Sequence, residues 1–249
     1  MIEKNIFETK IEFIKGVGPK RALILNKELG VFKFSDLLDY FPYRYEDRTL
    51  FVKINKITPS LGYVNFIGRV VSSKTVGYKT NKRLVVKLRD KSGSIELVWF
   101  KGVSWIEKKI SVGGKYNVFG KATFFNNSTN ISHPEISSFE VNKKGYFQPI
   151  YNTTEILKKR YLNSSFIEKL MRFVLMKTYN SIPESIPSHI MLKHSFIKKK
   201  DALLNIHFPT NKALLKKAVS FLKFEEFFYL QLKILSVKKK KGSFFWICF

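Results

Sequence analysis

The sequence predicts an α+β protein in which a small five-stranded β-barrel lies between an N-terminal and a C-terminal helical segment. Three observations predict this class. Short alternating runs of apolar and polar residues fill the middle of the chain, apolar residues recur at helical spacing at both ends, and proline and glycine separate the zones. The chain is also 45% hydrophobic, with 24 Phe and 11 Tyr, which favours packed cores over disorder.

The first zone, residues 1–50, is predicted to be helical. The run "IEFIKGVGPKRALILNKELGV" carries leucines at helical spacing and a stop signal at Gly30. The run "KFSDLLDYFP" begins a second helix, for which Ser35 is the expected cap, and Pro42 ends the zone.

The turn in "FIKGVGPKRA" resembles a helix-hairpin-helix motif. Glycines in such a turn let backbone amides approach a phosphate without an intervening side chain. Lys20 and Arg21 follow the turn and would add positive charge there. A tight turn that only packs is the alternative interpretation, because a single copy of the motif is short.

The second zone, residues 51–145, is predicted to be the barrel. It contains five runs with strand-like alternation: Val64–Val71, Leu84–Arg89, Ile95–Phe100, Tyr116–Phe125 and Asn130–Val141. The segment "VSWIEKKI" between the third and fourth runs has the pattern of a short helix. Five strands with a helix in that place are the plan of an OB-fold, whose open face commonly takes single-stranded nucleic acid.

The third zone, residues 146–249, turns helical again. Two segments carry the pattern, "NSSFIEKLMRFVLMKTYNSIP" and the longer "NKALLKKAVSFLKFEEFFYLQLKILSVKKKK". We interpret the Phe and Leu stripe of the second segment as core or interdomain packing rather than as a ligand site.

The charge of the chain favours a polyanionic partner. Lys and Arg number 45 against 19 Asp and Glu, a formal charge of +26, and cations placed on phosphates release counterions. Nucleic acid is therefore the leading candidate, while a membrane surface or a generally basic protein are the alternatives. The expected backbone-binding cations of the barrel are Lys74, Lys79, Lys82, Arg83, Lys87 and Arg89. A solvated face is the alternative for each of them.

The sequence lacks the common motifs of phosphate and metal chemistry. Its glycine-lysine clusters do not have the G-x-x-x-x-G-K-[ST] spacing, its histidines are scattered, and a single cysteine cannot build a zinc site. We therefore expect no catalytic residue, no metal and no cofactor in this chain. The lone Cys248, the charged N-terminus and the lack of a long apolar run predict a soluble cytoplasmic protein with no membrane partner.

Two adjacent aromatic residues, Trp99 and Phe100, end the third predicted strand. Neighbours in a strand point to opposite faces, so the two rings cannot fill the same core. Trp99 shares a face with Ile95 and Leu97, which predicts that Trp99 points into the barrel and Phe100 points outward.

Seven collinear segments then resemble the N-terminal half of the RecG family of ATP-dependent DNA helicases. They are "GVGPKRA", "DLLDYFPYRYEDRT", "LVVKLRDKSGSIELVWFKG", "HPEI", "PIYNTTEIL", "IHFP" and "LKFEEFFYLQLKIL". The resemblance implies that the OB-fold is a wedge domain, which splits DNA at a stalled fork or Holliday junction. It also implies a base-stacking role for Trp99 and Phe100, with Trp105 as the nearest later aromatic because Ser104 holds the expected position.

The resemblance stops where the helicase motor would begin. Family members continue with a P-loop and a D-E-x-H box, and neither is present here, so the chain is expected to be inactive as a motor by itself. ATP and Mg²⁺ are expected only for that motor. A fragment, a split gene or a frameshifted reading would each explain the difference.

Two functions follow as hypotheses. The first is the branched-DNA binding portion of a RecG-type helicase in recombination, repair and stalled-fork regression, a monomer located with the bacterial nucleoid. The second is a stand-alone OB-fold module that binds single-stranded DNA or RNA. A preference for forks over single strands would separate them.

Overall fold

The computed structural model describes residues 5–77, 82–125, 128–139 and 146–242. The chain divides into two compact units: a barrel unit, Asp47–Tyr146, and a helical unit formed by Met1–Glu46 together with Phe147–Phe249. The helical zones at the two ends of the chain, which the sequence presents as separate segments, therefore belong to one unit.

The elements are numbered in chain order. The helices are α1 (Gly18–Leu29), α2 (Phe34–Leu38), α3 (Val103–Glu107), α4 (Glu155–Lys159), α5 (Ser164–Thr178), α6 (Ser188–Lys193), α7 (Lys199–His207) and α8 (Lys212–Gly242). The strands are β1 (Arg44–Asp47), β2 (Tyr63–Val76), β3 (Arg83–Arg89), β4 (Ser94–Trp99), β5 (Lys115–Phe125), β6 (Ser128–Ser132), β7 (Glu135–Ser138) and β8 (Phe147–Ile150).

Five strands of the barrel unit close on themselves. Their order is β2-β3-β4-β6-β5, and β5 pairs back with β2. The β4–β6 pair is parallel, whereas the other four pairs are antiparallel. With α3 between β4 and β5, this is the predicted OB-fold plan, and the expected α+β class is confirmed.

The fifth predicted strand is divided in two. Strands β6 and β7 both pair with β5, and His133 and Pro134 lie between them. Gly120 of β5 makes room for this turn, because a Cβ there would lie 2.5 Å from Ile131 Cγ2 and 3.0 Å from Pro134 Cβ. The sheet therefore has a sixth strand beyond the plain five-stranded barrel.

The barrel core follows the period of two that its sequence shows. Leu84, Val86 and Leu88 of β3 are buried, as are Ile95, Leu97 and Trp99 of β4. Trp99 is 3% exposed and Phe100 is 52% exposed, so the predicted orientation of the two rings is confirmed.

The helical unit has one core to which both ends of the chain contribute. Ile11, Leu25 and Leu37 come from the N-terminal segment and pack with Leu157 and Val174 of α4 and α5. This shared core is the reason that the two helical segments form a single unit.

A buried histidine connects distant segments of that core. His207 Nε2 donates a hydrogen bond to the Leu38 carbonyl oxygen, 2.9 Å away, and Nδ1 therefore accepts from the Tyr151 hydroxyl at 3.0 Å. Burial lowers the pKa of His207 to about 4, with a smaller opposing effect of the hydrogen bond to Leu38. The neutral imidazole is thus the form that fits the core.

Helix α2 begins differently from the sequence expectation. Lys33 occupies the N-cap position, and the Asp36 carboxylate accepts hydrogen bonds from the backbone N–H groups of Lys33 and Phe32. Ser35 lies inside the first turn, so its prediction as the cap is wrong. A carboxylate in the third helical position satisfies the amides that precede the helix.

The buried residues of helix α8, within the part whose side chains are described, lie in its first half. Ala218 and Phe221 are buried with Ala202 and Ile206 of α7, whereas the apolar residues from Tyr229 to Val237 are exposed. None of the helices in the described ranges combines the length and the apolar composition that crossing a membrane requires.

Candidate nucleic-acid interface

The candidate site is the rim of the barrel where β4 ends. Phe100 follows β4 directly, and its ring lies beside the His133 ring, with 5.7 Å between centroids and an interplanar angle of 47°. The backbone N–H of Phe100 donates to His133 Nε2 at 3.3 Å, and the backbone N–H of His133 donates to the Val98 carbonyl oxygen at 2.8 Å. Two hydrogen bonds therefore join the chain next to the exposed Phe100 ring to the turn that contains His133.

Exposed cations lie on the outer face of β3. Every second residue of this strand is buried in the barrel, so the residues between them face outward. Arg83, Lys87 and Arg89 point outward, opposite in direction to the buried leucines and valine of that strand. Lys74 of β2 pairs with Val85 and is also exposed, as is Lys82 just before β3. Lys79 lies outside the described residues.

Arg83 and Phe100 flank the last residue pair between β3 and β4. That pair is Leu84 with Trp99; Arg83 precedes Leu84 and Phe100 follows Trp99. Arg83 pairs with Val76 of β2. Phe100 and Arg83 thus lie at one end of the β3–β4 pair, on its outer side.

The charge along β3 is not uniform. Lys87 is paired with Glu96 on β4, and opposite charges on directly facing residues offset each other. Arg89 faces Ser94 on β4 and Arg69 on β2, but the Arg69 guanidinium donates to the Gly113 carbonyl oxygen at 2.7 Å. Lys87 therefore has an acidic residue in the facing position on β4, whereas Arg89 faces the uncharged Ser94.

Trp105 lies on α3 with 61% of its surface exposed. The Lys109 ammonium is 3.4 Å from the centroid of the indole, which is a cation–π contact. The Thr75 hydroxyl donates to a Glu107 carboxylate oxygen at 3.1 Å, which connects α3 to the end of β2. Trp105 therefore presents a ring at the surface of the same unit as Phe100.

Lys20 and Arg21 lie in the helical unit, on the first turn of α1. Gly16 and Gly18 have φ angles of 92° and 63°, so both positions of the predicted hairpin need glycine. The Arg21 guanidinium donates to the Gly16 carbonyl oxygen at 2.6 Å and lies 5.5 Å from the Phe166 ring centroid. Lys20 is exposed.

Sequence reasoning did not find a second aromatic group on the barrel. The Arg48 guanidinium is 3.8 Å from the Phe119 ring centroid and forms two contacts with the Glu135 carboxylate, at 2.6 and 3.1 Å. Tyr63 stacks on Phe119 with centroids 5.6 Å apart. Only Arg48 had a signal in the sequence, as part of the charged segment "RYEDR".

His133 was also missed as a member of the site. Its sequence signal is weak, a single polar ring before a proline in "HPEI".

Within residues 5–77, 82–125, 128–139 and 146–242, no group of three or more His, Cys, Asp or Glu side chains could hold a metal ion. The rim carries the exposed Phe100 ring, and the outer face of β3 carries exposed cations.

The closed strand order and the position of the helix define the barrel unit as an OB-fold. Residues 10–173 match the family model of the RecG wedge domain. The chain belongs to this family, and the resemblance seen in the sequence motifs is confirmed.

The relatives are longer proteins. The chain is 30% identical over 243 residues to the ATP-dependent DNA helicase RecG of Thermotoga maritima, a match that covers 96% of this chain and 30% of that protein. It is 29% identical to the RecG of Bacillus subtilis, over 93% of this chain and 33% of that protein. The chain therefore spans about a third of the length of these helicases.

A solved structure described as RecG bound to a three-way DNA junction is also similar. The TM-score is 0.80 at 28% sequence identity, and the match covers 98% of this chain and 33% of that one. The similarity includes nearly all of this chain rather than the barrel alone.

Proposed function

We propose that this chain binds branched DNA, a fork or a three-way junction, with Phe100 stacking on the base pair at the branch point. The observation that carries the proposal is the exposed Phe100 ring at the end of β4, in a chain that resembles a junction-bound RecG over 98% of its length. Trp105 is the second candidate ring, and Trp99 supports the rim from inside the barrel.

The proposed action is mechanical. A base pair that opens at the branch loses a stacking neighbour, and an aromatic ring that replaces it contributes roughly 1–3 kcal/mol per base. Lys74, Lys82, Arg83, Lys87 and Arg89 would hold the phosphates of the arms, with Lys79 on the same stretch of chain. No catalytic side chain is required for this separation of strands.

We further propose that the chain acts as the DNA-splitting part of a RecG-type helicase. The motor that hydrolyses ATP with Mg²⁺ would be separate from these residues, and recombination, repair and the regression of stalled forks would be the processes served. Similarity to the helicases of Thermotoga maritima and Bacillus subtilis supports this role.

The test compares four DNA substrates of matched length with the full chain, by fluorescence anisotropy at several salt concentrations. We expect fork and three-way junction to bind more tightly than duplex, and duplex more tightly than single strand. Single strand bound above fork would instead favour the stand-alone OB-fold module. Equal affinity for all four, lost together with modest salt, would leave only non-specific charge.

A further inference from the structure

The ladder between β4 and β6 ends in an unusual way. In a parallel pair, a residue that donates its N–H to one carbonyl of the neighbouring strand accepts, through its own carbonyl, from the N–H two residues further along. His133 donates to the Val98 carbonyl oxygen, so the expected next bond runs from the Phe100 N–H to the His133 carbonyl. The structure has a different acceptor.

The imidazole of His133 takes the place of that carbonyl. Its backbone has a φ of 50°, in the left-handed region, because the chain turns there between β6 and β7. The Phe100 N–H instead donates to Nε2 of the side chain at 3.3 Å. A side-chain nitrogen thus provides the last hydrogen bond of the ladder, directly at the exposed ring.

The His133 side chain is exposed, but the chain next to it is held in place. Trp99 Nε1 donates to the Pro134 carbonyl oxygen at 3.2 Å, and Pro134 packs over Gly120 of β5. The His133 ring also lies against the Phe100 ring, at 5.7 Å between centroids. Because an N–H can only donate, Nε2 is the unprotonated nitrogen and the proton of the neutral ring is on Nδ1.

We propose that His133 is a positioning residue for Phe100, and that its Nε2 fixes the backbone from which the stacking ring projects. This inference rests on the proposed function, because Phe100 must meet DNA for its position to matter. A ring that is held before binding loses less conformational freedom when a base stacks on it. His133 therefore raises affinity for the branch point by holding Phe100.

Two substitutions test the role of the hydrogen-bond acceptor of His133 separately from the role of its aromatic ring. His133→Gln keeps an acceptor, the amide oxygen, at a similar reach, whereas His133→Phe keeps an aromatic ring without an acceptor. Both carry a Cβ and meet the same left-handed backbone, so they are matched for strain. His189, exposed on α6 of the helical unit, provides the control pair His189→Gln and His189→Phe.

The first measurement is hydrogen exchange of the Phe100 amide by NMR, without DNA. We expect the amide to stay protected in the wild-type chain and in His133→Gln, and to lose protection in His133→Phe. An amide that exchanges equally in both variants would overturn the proposal, whatever the DNA experiments show.

The second measurement is fork affinity, together with the fluorescence of 2-aminopurine at the branch point. We expect His133→Phe to weaken fork binding about three- to tenfold, the effect of one lost hydrogen bond, and His133→Gln to stay within about twofold of the wild-type chain. In a Phe100→Ala background, His133→Phe should have no further effect, and neither control should change affinity or fluorescence.

The outcomes distinguish this inference from the proposed function. If Phe100→Ala weakens fork binding but His133→Phe does not, the positioning role is wrong and branch-point stacking stands. If Phe100→Ala has no effect, the stacking proposal fails and the role of His133 fails with it. An equal loss in His133→Gln and His133→Phe would also overturn the inference, since the acceptor would then be irrelevant.

Discussion

The Trp99 indole nitrogen donates a hydrogen bond to the Pro134 carbonyl oxygen at 3.2 Å. This bond joins the buried end of β4 to the turn between β6 and β7; Phe100, which follows Trp99, and His133, which precedes Pro134, contact each other at the rim. The same few residues therefore close the barrel core and support the exposed Phe100 ring. Substitutions of the buried ring and of the exposed ring should accordingly affect stability and DNA binding separately.

The buried ring should dominate stability. Trp99→Ala removes a large side chain from a fully packed site, so the free energy of unfolding should fall by about 3–5 kcal/mol. Phe100→Ala should change it by less than about 0.5 kcal/mol, as expected for an exposed side chain. Urea denaturation followed by Trp fluorescence, with Trp99→Phe as a control that keeps most of the volume, measures both. A larger loss for Phe100→Ala, with DNA binding intact, would mean that the two faces are assigned wrongly.

The exposed ring should dominate branch-point binding. Phe100→Ala should weaken fork binding by about 1–3 kcal/mol, because one base loses its aromatic partner. Phe124→Ala is the matched control, since this phenylalanine of β5 is 63% exposed on the same unit. Anisotropy titrations at one salt concentration compare the two variants. Equal losses for both would indicate non-specific contact of the barrel surface with DNA.

The cations of β3 should not contribute equally. Arg83→Gln should lower the slope of log affinity against log salt by about one, as expected for the loss of one phosphate contact. Lys87→Gln should have a smaller effect, because Glu96 in the facing position on β4 would repel a nearby phosphate. Titrations with a fork from about 50 to 200 mM salt test this order. The reverse order would place the DNA backbone nearer the middle of β3 than its end.

The stability of the helical unit should depend on pH through His207. Burial lowers its pKa from 6.5 to about 4 in the folded chain, so the unfolded state binds the proton more readily between those values. The contribution of neutral His207 to the free energy of unfolding is fully present above about pH 6.5. It is lost as pH falls toward 4, and the loss reaches up to about 3 kcal/mol. Urea denaturation followed by far-UV circular dichroism at pH 7.5 and 5 measures the loss.

The control for this pH effect is a matched pair of substitutions. His207→Gln removes the titrating group and should flatten the difference in stability between the two pH values. His189→Gln, at an exposed site on α6, should leave the difference as it is in the wild-type chain. An unchanged pH dependence in His207→Gln would show that carboxylates, rather than this histidine, cause it.

The strands and the two ring orientations could be predicted because they depend on local pattern. The leucines and valine of β3 and the apolar residues of β4 alternate, and a period of two leaves only one arrangement with a buried face. Each predicted barrel strand overlaps an observed one, and the fifth is divided at His133 and Pro134 into β6 and β7, with different ends from those predicted. The collinear motifs were sufficient to recognise the family.

The amino-acid sequence alone thus determined the barrel strands, their buried faces and the family, because these follow from the spacing of neighbouring residues, whereas the short strands β1 and β8 and the helices α4, α6 and α7 were not predicted. Only the tertiary structure decided which distant residues meet: His133 with Phe100, 33 positions apart; Glu135 with Arg48, 87 apart; and His207 with Leu38, 169 apart. It also joined the two ends of the chain in one core. These contacts depend on chain topology, and local periodicity carries no information about it.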